Sequence, residues 1–351
     1  MDKIKVLVVD DSAFMQRVIN SILKDNERIE IAAVAGDGAE ALEILKQKRI
    51  DVVTMDVEMP GMNGLEALKA IIETRPTPVI MISSHTKRGA VETIQSLDIG
   101  AVDFITKPST GLENDLARFG REIKQKIAVA STARLIGRRP GRRPVLNVPK
   151  PEGIYGTSVR YMIAIGSSTG GPKALQRVLP VIPGSIAGAV MVVQHMPAGF
   201  TKSLAERLDT FCQLKVREAK DRELVKSGHC YIAPGGCHMR VNRGAREREY
   251  VIRLDEGPVV SGHRPSVDVL FESLSRVQIE KMVAVIMTGM GSDGSAGLAK
   301  LKEFRGCPAI AQNEESSIVF GMPGTAIKNG LIDKVADLDS IGEEILKSLE
   351  V

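Results

Sequence analysis

The segment Gly166-Ser-Ser-Thr-Gly-Gly171 has the spacing of a serine nucleophile held on a tight turn. Gly166, Ser168 and Gly170 form Gly-x-Ser-x-Gly, in which a strand turns sharply into a helix and presents the serine hydroxyl above the strand end. Glycine suits such a turn because it accepts positive or crowded backbone dihedrals. A serine hydroxyl is a weak nucleophile at neutral pH, so the chain must also supply a base and a group that orients this base.

A base and an orienting acid follow two other apolar runs of the C-terminal half. Of the five histidines, His195 alone directly follows such a run, Ala189–Gln194, whereas the others lie in another predicted domain or in polar, turn-rich sequence. Asp293 lies in a glycine-rich loop after the run Val283–Thr288. The carboxyl ends of parallel strands meet at one edge of a sheet, so we expect Ser168, His195 and Asp293 to lie close together.

Each of these residues has a simpler interpretation when it is taken alone. Gly and Ser are ordinary turn formers, a histidine after a strand is often only packed, and Asp293 is placed to cap a helix beginning near Ser295. The loop Gly166–Gly171 would also suit a phosphate, but its spacing is neither Gly-x-Gly-x-x-Gly nor that of a P-loop. Because all three residues fall on equivalent strand ends, a Ser-His-Asp site is favoured. Its chain order differs from that of α/β-hydrolases, which argues against a standard member of that class.

A second group of polar side chains follows strand-like runs in the N-terminal half. Asp10, Asp11 and Asp56 are predicted to converge at strand ends, where three carboxylates would repel one another unless a divalent cation such as Mg²⁺ lay among them. Ser83 and Lys107 bring a hydroxyl and a cation to the same edge. Asp10 and Asp11 alone would be explained as the polar cap of the next helix. Together, the five side chains predict a site for a phosphoryl group.

The elements that must position these residues are strands alternating with helices. Residues 3 to about 128 contain five such βα units, with strands near residues 5–9, 29–34, 52–55, 78–82 and 102–105. This alternation predicts a flavodoxin-like, doubly wound parallel sheet. The C-terminal half also has α/β patterning. The predicted fold class is therefore α/β, with two doubly wound parallel-sheet domains.

The length of 351 residues favours two domains. We predict a first domain over residues 1–128, a linker over residues 129–158 and a second domain over residues 159–351. There is no apolar stretch near the roughly 18 residues that a membrane span needs, and the N-terminus does not resemble a signal peptide. We therefore expect a cytoplasmic protein without membrane insertion. The four cysteines lack the spacing of a metal finger or a redox pair.

The predicted linker is strongly basic, although the rest of the chain is slightly acidic. Residues 124–151 contain eight basic side chains, no acidic one and several prolines. The cluster Arg138-Arg-Pro-Gly-Arg-Arg143 could contact nucleic acid or anionic lipid, but aromatic residues are not interleaved with it. A solvated linker is favoured, and no nucleic-acid partner is expected.

The N-terminal half resembles the response-regulator receiver domain. The resemblance rests on four segments: Val8-Val-Asp-Asp-Ser12, Met55-Asp-Val-Glu-Met-Pro-Gly61, Met81-Ile-Ser-Ser84 and Asp103-Phe-Ile-Thr-Lys-Pro108. It implies that Asp56 accepts a phosphoryl group from a histidine kinase, and that Lys107 contacts this group. It further implies that Asp10, Asp11 and Asp56 hold Mg²⁺ with the backbone carbonyl of Glu58. Ser83 and Phe104, with Lys107, would form the switch of the domain.

The C-terminal half resembles the CheB protein-glutamate methylesterases of bacterial chemotaxis. The matching segments are Ala164-Ile-Gly-Ser-Ser-Thr-Gly-Gly171, Gln194-His-Met-Pro197, Tyr231-Ile-Ala-Pro-Gly235, His263-Arg-Pro-Ser-Val-Asp268, Thr288-Gly-Met-Gly-Ser-Asp-Gly294 and Phe320-Gly-Met-Pro323. The resemblance implies that Ser168 is the nucleophile, His195 the base and Asp293 the orienting acid. It also implies that the backbone near Met290, and that of Thr169, holds the oxyanion. The roles of His263 and Arg264 stay open.

Together, the two resemblances imply a hydrolase that is activated by phosphorylation. Its substrates would be methylated glutamates, and also glutamines, of methyl-accepting chemotaxis receptors, and the esterase chemistry itself would need no cofactor. A monomer is expected. The alternative is a receiver-controlled regulator with a non-catalytic or DNA-binding output, for which a helix-turn-helix would be expected in place of an α/β unit with a serine turn.

Overall fold

The computed structural model describes residues 3–108, 113–133, 149–150, 156 and 158–351. The chain forms two compact units, Met1–Leu135 and Ile136–Val351. Most of the predicted linker 129–158, including the arginine cluster, lies outside the described residues. The linker and its boundaries therefore stay predictions.

The first unit is a five-stranded parallel sheet in the order β2-β1-β3-β4-β5. Its elements are β1 (Ile4–Val9), α1 (Ala13–Leu23), β2 (Ile29–Ala35), α2 (Gly38–Gln47), β3 (Val52–Asp56), α3 (Gly64–Thr74), β4 (Val79–Ser83), α4 (Lys87–Ile99), β5 (Asp103–Thr106) and α5 (Glu113–Ala130). The strands β3 and β4 are buried along their whole length, as expected for parallel strands covered on both faces. The predicted doubly wound α/β class is confirmed.

Local sequence explains where the helices of this unit begin. The Ser12 side chain accepts a hydrogen bond from the Met15 amide and so caps α1. Asn63 caps α3, and Glu66 bonds back to the Asn63 amide in a capping box. These caps end the loops that follow β1 and β3. The acidic side chains at the strand ends are thereby held on short, defined connections.

The second unit contains a seven-stranded parallel sheet in the order β14-β13-β12-β6-β7-β9-β8. Its elements are β6 (Tyr161–Ser167), α6 (Gly171–Val178), β7 (Gly188–Gln194), α7 (Phe200–Asp209), β8 (Lys215–Glu218), β9 (His229–Ile232), β10 (His238–Arg243), β11 (Tyr250–Asp255), α8 (Val267–Ser275), β12 (Lys281–Ile286), α9 (Ser295–Arg305), β13 (Ala309–Gln312), α10 (Met322–Lys328), β14 (Lys334–Ala336) and α11 (Leu338–Leu349). The pair β10 and β11 forms a separate antiparallel ribbon.

The central strands β12, β6 and β7 are neighbours in this sheet, although β12 comes about 120 residues after β6 in the chain. All residues of β6 and β7 are buried. Strand order reverses at β6, since β7 lies on one side and β12 on the other. In open α/β sheets, ligands bind beyond the carboxyl ends of the strands at such a reversal.

Two of the other histidines are buried at strand starts. His229 and His238, which were expected in turn-rich sequence with no strand before them, follow turns and begin β9 and β10, where they are 3% and 1% exposed. The Nδ1 atom of His229 contacts the Ser227 carbonyl, and Nε2 of His238 contacts the Pro258 carbonyl. Both side chains are packed in the interior. Within the part of the chain that the structure describes, no helix is both long and apolar enough to cross a membrane.

Candidate active site

The three candidate catalytic residues follow the ends of three adjacent strands. Ser168 is the residue after β6, His195 is the residue after β7, and Asp293 lies in the loop between β12 and α9. Ser167 pairs with Gln194 across β6 and β7, and the His195 amide bonds to the Ser167 carbonyl at 3.1 Å. On the other side, the Ser168 amide bonds to the Thr288 carbonyl at 3.0 Å. Strand register therefore brings the three loops together.

The serine turn has close contacts that only small residues allow. Gly170 has φ 79°, which glycine adopts without strain, and α6 begins at the next residue. A Cβ atom on Gly289 would lie 2.8 Å from the Ser168 Cβ atom, so the Gly289 backbone is packed directly against the serine. Met290, one of the two candidate oxyanion residues, follows Gly289 and is half-buried. Thr169, the other, is buried, and its carbonyl accepts a hydrogen bond from the Thr288 hydroxyl.

His195 and Asp293 are in direct contact. The Nε2 atom of His195 lies 2.7 Å from Oδ2 of Asp293, and both side chains are almost completely buried. The other ring nitrogen, Nδ1, is buried and has no hydrogen-bond partner among the described residues. A neutral imidazole that donates from Nε2 carries its lone pair on Nδ1. The ring is thus able to accept a proton at Nδ1.

Asp293 is held by the beginning of α8. The Ser266 hydroxyl donates to its Oδ1 at 2.8 Å, and the Val267 and Asp268 amides donate at 2.7 and 3.1 Å. Burial opposes ionisation, but the contact with His195 and these hydrogen bonds keep the pKa of Asp293 well below its usual range. Asp293 therefore stays ionised and can orient an imidazolium without taking its proton.

The simpler interpretation of Asp293, as the cap of α9, does not describe the structure. The N-cap residue of α9 is Gly294, and the side chain at this helix start is that of Asp268, which accepts from the Gly294 and Gly297 amides at 2.9 and 2.7 Å. Asp293 accepts hydrogen bonds from the beginning of α8, which contains Asp268. Asp268 in turn accepts from the beginning of α9, which Asp293 precedes. This exchange fixes the Asp293 loop against α8.

Gln194, to which the sequence assigned no role, joins the candidate nucleophile to the candidate base. The Gln194 Nε2 atom donates to the Ser168 carbonyl at 2.9 Å and to the His195 carbonyl at 3.2 Å. Its Oε1 atom accepts from the Ser167 hydroxyl at 2.7 Å, and Gln194 is 2% exposed. The available signal was a glutamine at the end of an otherwise apolar strand, since buried polar groups need partners.

The residues whose roles were open, His263 and Arg264, lie in the loop before α8. The ring of His263 is stacked on the ring of His195. The Arg264 guanidinium donates to the carbonyls of Glu256 and Gly257, which are backbone contacts within the same loop. His263 thus adjoins the candidate base, whereas Arg264 holds the loop.

The first unit has an acidic pocket at the carboxyl ends of β1 and β3. Asp10, Asp11 and Asp56 each place a carboxylate oxygen within 4.8 Å of the others, and Asp10 and Asp56 are buried. The Lys107 Nζ atom lies 2.6 Å from Oδ2 of Asp56 and 3.4 Å from Oδ2 of Asp10. The Glu58 amide bonds to Oδ1 of Asp56 at 3.3 Å. Of the five predicted side chains, those of Asp10, Asp11, Asp56 and Lys107 therefore meet at one edge of the sheet.

The charges of this pocket are not balanced by Lys107 alone. Burial raises the pKa of Asp56 to about 6 despite the lysine contact, and burial also raises the pKa of Asp10. The Oδ2 atom of Asp10 is buried, and its close partner is the Lys107 ammonium at 3.4 Å. Three carboxylates beside one lysine leave negative charge that a divalent cation of the Mg²⁺ type would balance.

The predicted switch residues lie on the neighbouring strands. Ser83 ends β4 and is completely buried, with its hydroxyl donating to the Gly89 carbonyl at 3.1 Å. The Lys107 amide bonds to the Ser83 carbonyl at 2.8 Å. Phe104 is 3% exposed, and the Lys126 ammonium lies 5.4 Å from the centre of its ring. Ser83 and Lys107 are thus linked through their backbones, next to the acidic pocket.

Each of the two units matches a known protein family. The family model "CheB methylesterase" matches residues 163–345, and the model "Response regulator receiver domain" matches residues 6–116. Two proteins named protein-glutamate methylesterase/protein-glutamine glutaminase are similar along almost their whole length. The protein from Geobacillus kaustophilus is 47% identical, with 99% of each chain covered, and that from Bacillus licheniformis is 46% identical, with 98% of each covered.

A solved structure matches the second unit. The Thermotoga maritima CheB methylesterase catalytic domain aligns with a TM-score of 0.51 and 41% identity, covering 53% of this chain and 97% of that one. The fold and these matches define a response regulator whose output domain is a hydrolase. The chain belongs to the CheB methylesterase family.

Proposed function

We propose that this chain removes methyl esters from glutamate side chains of chemotaxis receptors, deamidates receptor glutamines, and is activated by phosphorylation of Asp56. The observation that carries the proposal is the placement of Ser168, His195 and Asp293 at adjacent strand ends of a CheB-type fold. The relatives' names supply the reacting groups, which are glutamate methyl esters and glutamines of proteins, and the resemblance to CheB proteins supplies the receptors. Such substrates are side chains on the cytoplasmic part of a receptor, so the activity belongs in the cytoplasm.

The chemistry begins at Ser168. Its Oγ atom attacks the ester carbonyl carbon while Nδ1 of His195 takes the hydroxyl proton. Asp293 stays ionised and stabilises the imidazolium through Nε2. The backbone near Met290 and Thr169 is proposed to hold the oxyanion.

Collapse of this intermediate breaks the bond to the methoxy group, and His195 returns the proton so that methanol leaves. Water then attacks the acyl-enzyme, with His195 again as the base, and releases the glutamate carboxylate and Ser168. A glutamine side chain follows the same steps, with ammonia leaving in place of methanol.

The receiver unit is proposed to control this reaction. A histidine kinase would donate a phosphoryl group to Oδ of Asp56, beside the Lys107 ammonium. Asp10, Asp11, Asp56 and the Glu58 carbonyl would hold Mg²⁺. When bound, this ion would neutralise charge on the transferring phosphoryl oxygens. The added charge at Asp56 would then act on the switch residues Ser83, Phe104 and Lys107.

A DNA-binding output is not adopted, because the described part of the second unit is built on a parallel sheet of seven strands. The test is methanol release from methylated receptor membranes by the full chain, with and without a small-molecule phosphodonor. We expect release that increases with the phosphodonor in the wild type but not in Asp56→Asn. Absence of methanol release under both conditions would contradict the proposal.

A further inference from the structure

The imidazole rings of His195 and His263 form a close parallel stack. Their centroids are 3.7 Å apart and their planes differ by 8°. His195 is nearly buried, and His263 lies half-buried in the loop between β11 and α8. A second ring therefore covers one face of the candidate base.

The loop that carries His263 is firmly anchored. Val260 and His263 exchange two backbone hydrogen bonds of 3.1 and 2.9 Å around Ser261 and Gly262, whose φ angles are 53° and 80°. Positive φ at both central residues is typical of a tight type I′ turn. The Arg264 guanidinium then bonds to two carbonyls of the same loop, and the Arg264 carbonyl accepts from the Gly236 amide at 3.1 Å. The loop thus gives His263 a fixed support.

The contact with Asp293 does not by itself fix the plane of the His195 ring. The second side-chain torsion of histidine is broad, so a ring held only at Nε2 can tilt about that contact. Tilting would move Nδ1, the nitrogen that must meet the serine proton. A parallel ring at van der Waals distance blocks this tilt on one face.

The same segment also holds the other member of the pair. Three and four residues after His263, the Ser266 hydroxyl and the Val267 amide donate to the Asp293 carboxylate. The segment 263–268 therefore contacts His195 through a ring stack and Asp293 through hydrogen bonds. The same segment therefore positions both His195 and Asp293.

We propose that His263 is a positioning residue, which holds the His195 ring so that Nδ1 faces Ser168. It takes no proton in the reaction and acts only through His195. The proposal rests on the proposed function in one respect, that His195 is the base for Ser168. Because a displacement of about 1 Å can cost about 100-fold in rate, loss of the stack should be measurable.

The test compares His263→Ala and His263→Asn with His263→Phe, which retains a flat ring. Val259→Ala is the matched control, since Val259 is a 62% exposed residue of the same loop. The first readout is the rate at which a fluorophosphonate labels Ser168. In that reaction the Oγ–P bond forms, fluoride leaves and His195 takes the proton, so no receptor is required. The second readout is kcat and KM for methanol release, and the third is the unfolding midpoint.

We expect His263→Ala and His263→Asn to slow both labelling and kcat about 10- to 100-fold, with KM changed less than about twofold. His263→Phe should recover most of both rates, and the control should match the wild type. The asparagine variant keeps the test valid if the alanine variant does not fold.

Three results would overturn the proposal. An increased KM with unchanged labelling would make His263 a substrate contact. A phenylalanine variant as slow as the alanine variant would mean that the imidazole nitrogens are required. Unchanged rates in all variants would leave His263 without a role. If the wild type is labelled but releases no methanol, the methylesterase proposal fails, and the labelling rates alone decide the role of His263.

Discussion

Nε2 of His195 contacts Oδ2 of Asp293 at 2.7 Å, while Nδ1 of the same ring is buried without a hydrogen-bond partner among the described residues. In the serine protease template the ring is used in the opposite sense, with Nδ1 toward the aspartate and Nε2 toward the serine. Here Nε2 faces a carboxylate oxygen, which accepts hydrogen bonds, so the proton of a neutral ring is assigned to Nε2. Nδ1 is then the basic nitrogen.

Asp293→Asn should lower kcat for methanol release by about 10³- to 10⁴-fold, because an amide can stabilise the wrong tautomer and cannot balance the imidazolium charge. Methanol release from methylated receptor membranes measures this effect. Asp339→Asn is the matched control, since Asp339 is an exposed acid in the same unit that pairs with Arg177. A kcat for Asp293→Asn within threefold of the control would show that Asp293 does not orient the base.

Gln194→Met should lower kcat about tenfold and reduce the free energy of unfolding by about 1–3 kcal/mol. Methionine has a similar length but cannot donate to the carbonyls of Ser168 and His195, which would be left without this donor. Steady-state kinetics and denaturant unfolding measure the two effects. Gln213→Met, at an exposed position of the same unit, is the control. A normal kcat in a destabilised Gln194 variant would restrict this side chain to a role in folding.

The sequence predicted the strand ends well because parallel strands in buried sheets are continuous apolar runs. The runs before Ser168 and His195 correspond to β6 and β7, and Asp10 and Asp56 come where β1 and β3 end. The contacts of Gln194, Ser266 and His263 could not be predicted in this way. They depend on tertiary packing between residues 26 to 68 positions apart in the chain, which periodicity does not encode. The strands that begin at His229 and His238 were not predicted, because short strands beginning with a polar residue resemble turns.

Asp56 should titrate differently with and without Mg²⁺. Burial raises its pKa to about 6, so in chelator its carboxyl group should be half ionised near pH 6 and fully ionised only above that pH. A bound cation favours the ionised form, so Mg²⁺ should shift the midpoint to lower pH. Carbon NMR of labelled aspartate follows the titration, and Asp56→Asn assigns the signal. An identical midpoint in both conditions would argue against a cation at this carboxylate.

The isolated fragment 155–351 should release methanol several-fold faster than the unphosphorylated full chain. If the predicted linker of about 30 residues behaves as a flexible chain, it spans about 30 Å and gives an effective concentration near the millimolar range, so even weak inhibition by the receiver would suffice. A phosphodonor should accelerate the full chain and leave the fragment unchanged. The comparison uses initial rates at equal enzyme concentration. Equal rates for the fragment and the unphosphorylated chain would reject autoinhibition.

The most direct test of the catalytic assignment is methanol release by Ser168→Ala on phosphodonor-treated enzyme. Without the Oγ atom no acyl-enzyme can form, so we predict that kcat falls by several orders of magnitude while receptor binding is retained. Methanol release from this variant at a rate near that of the wild type would contradict the assignment of Ser168 as the nucleophile.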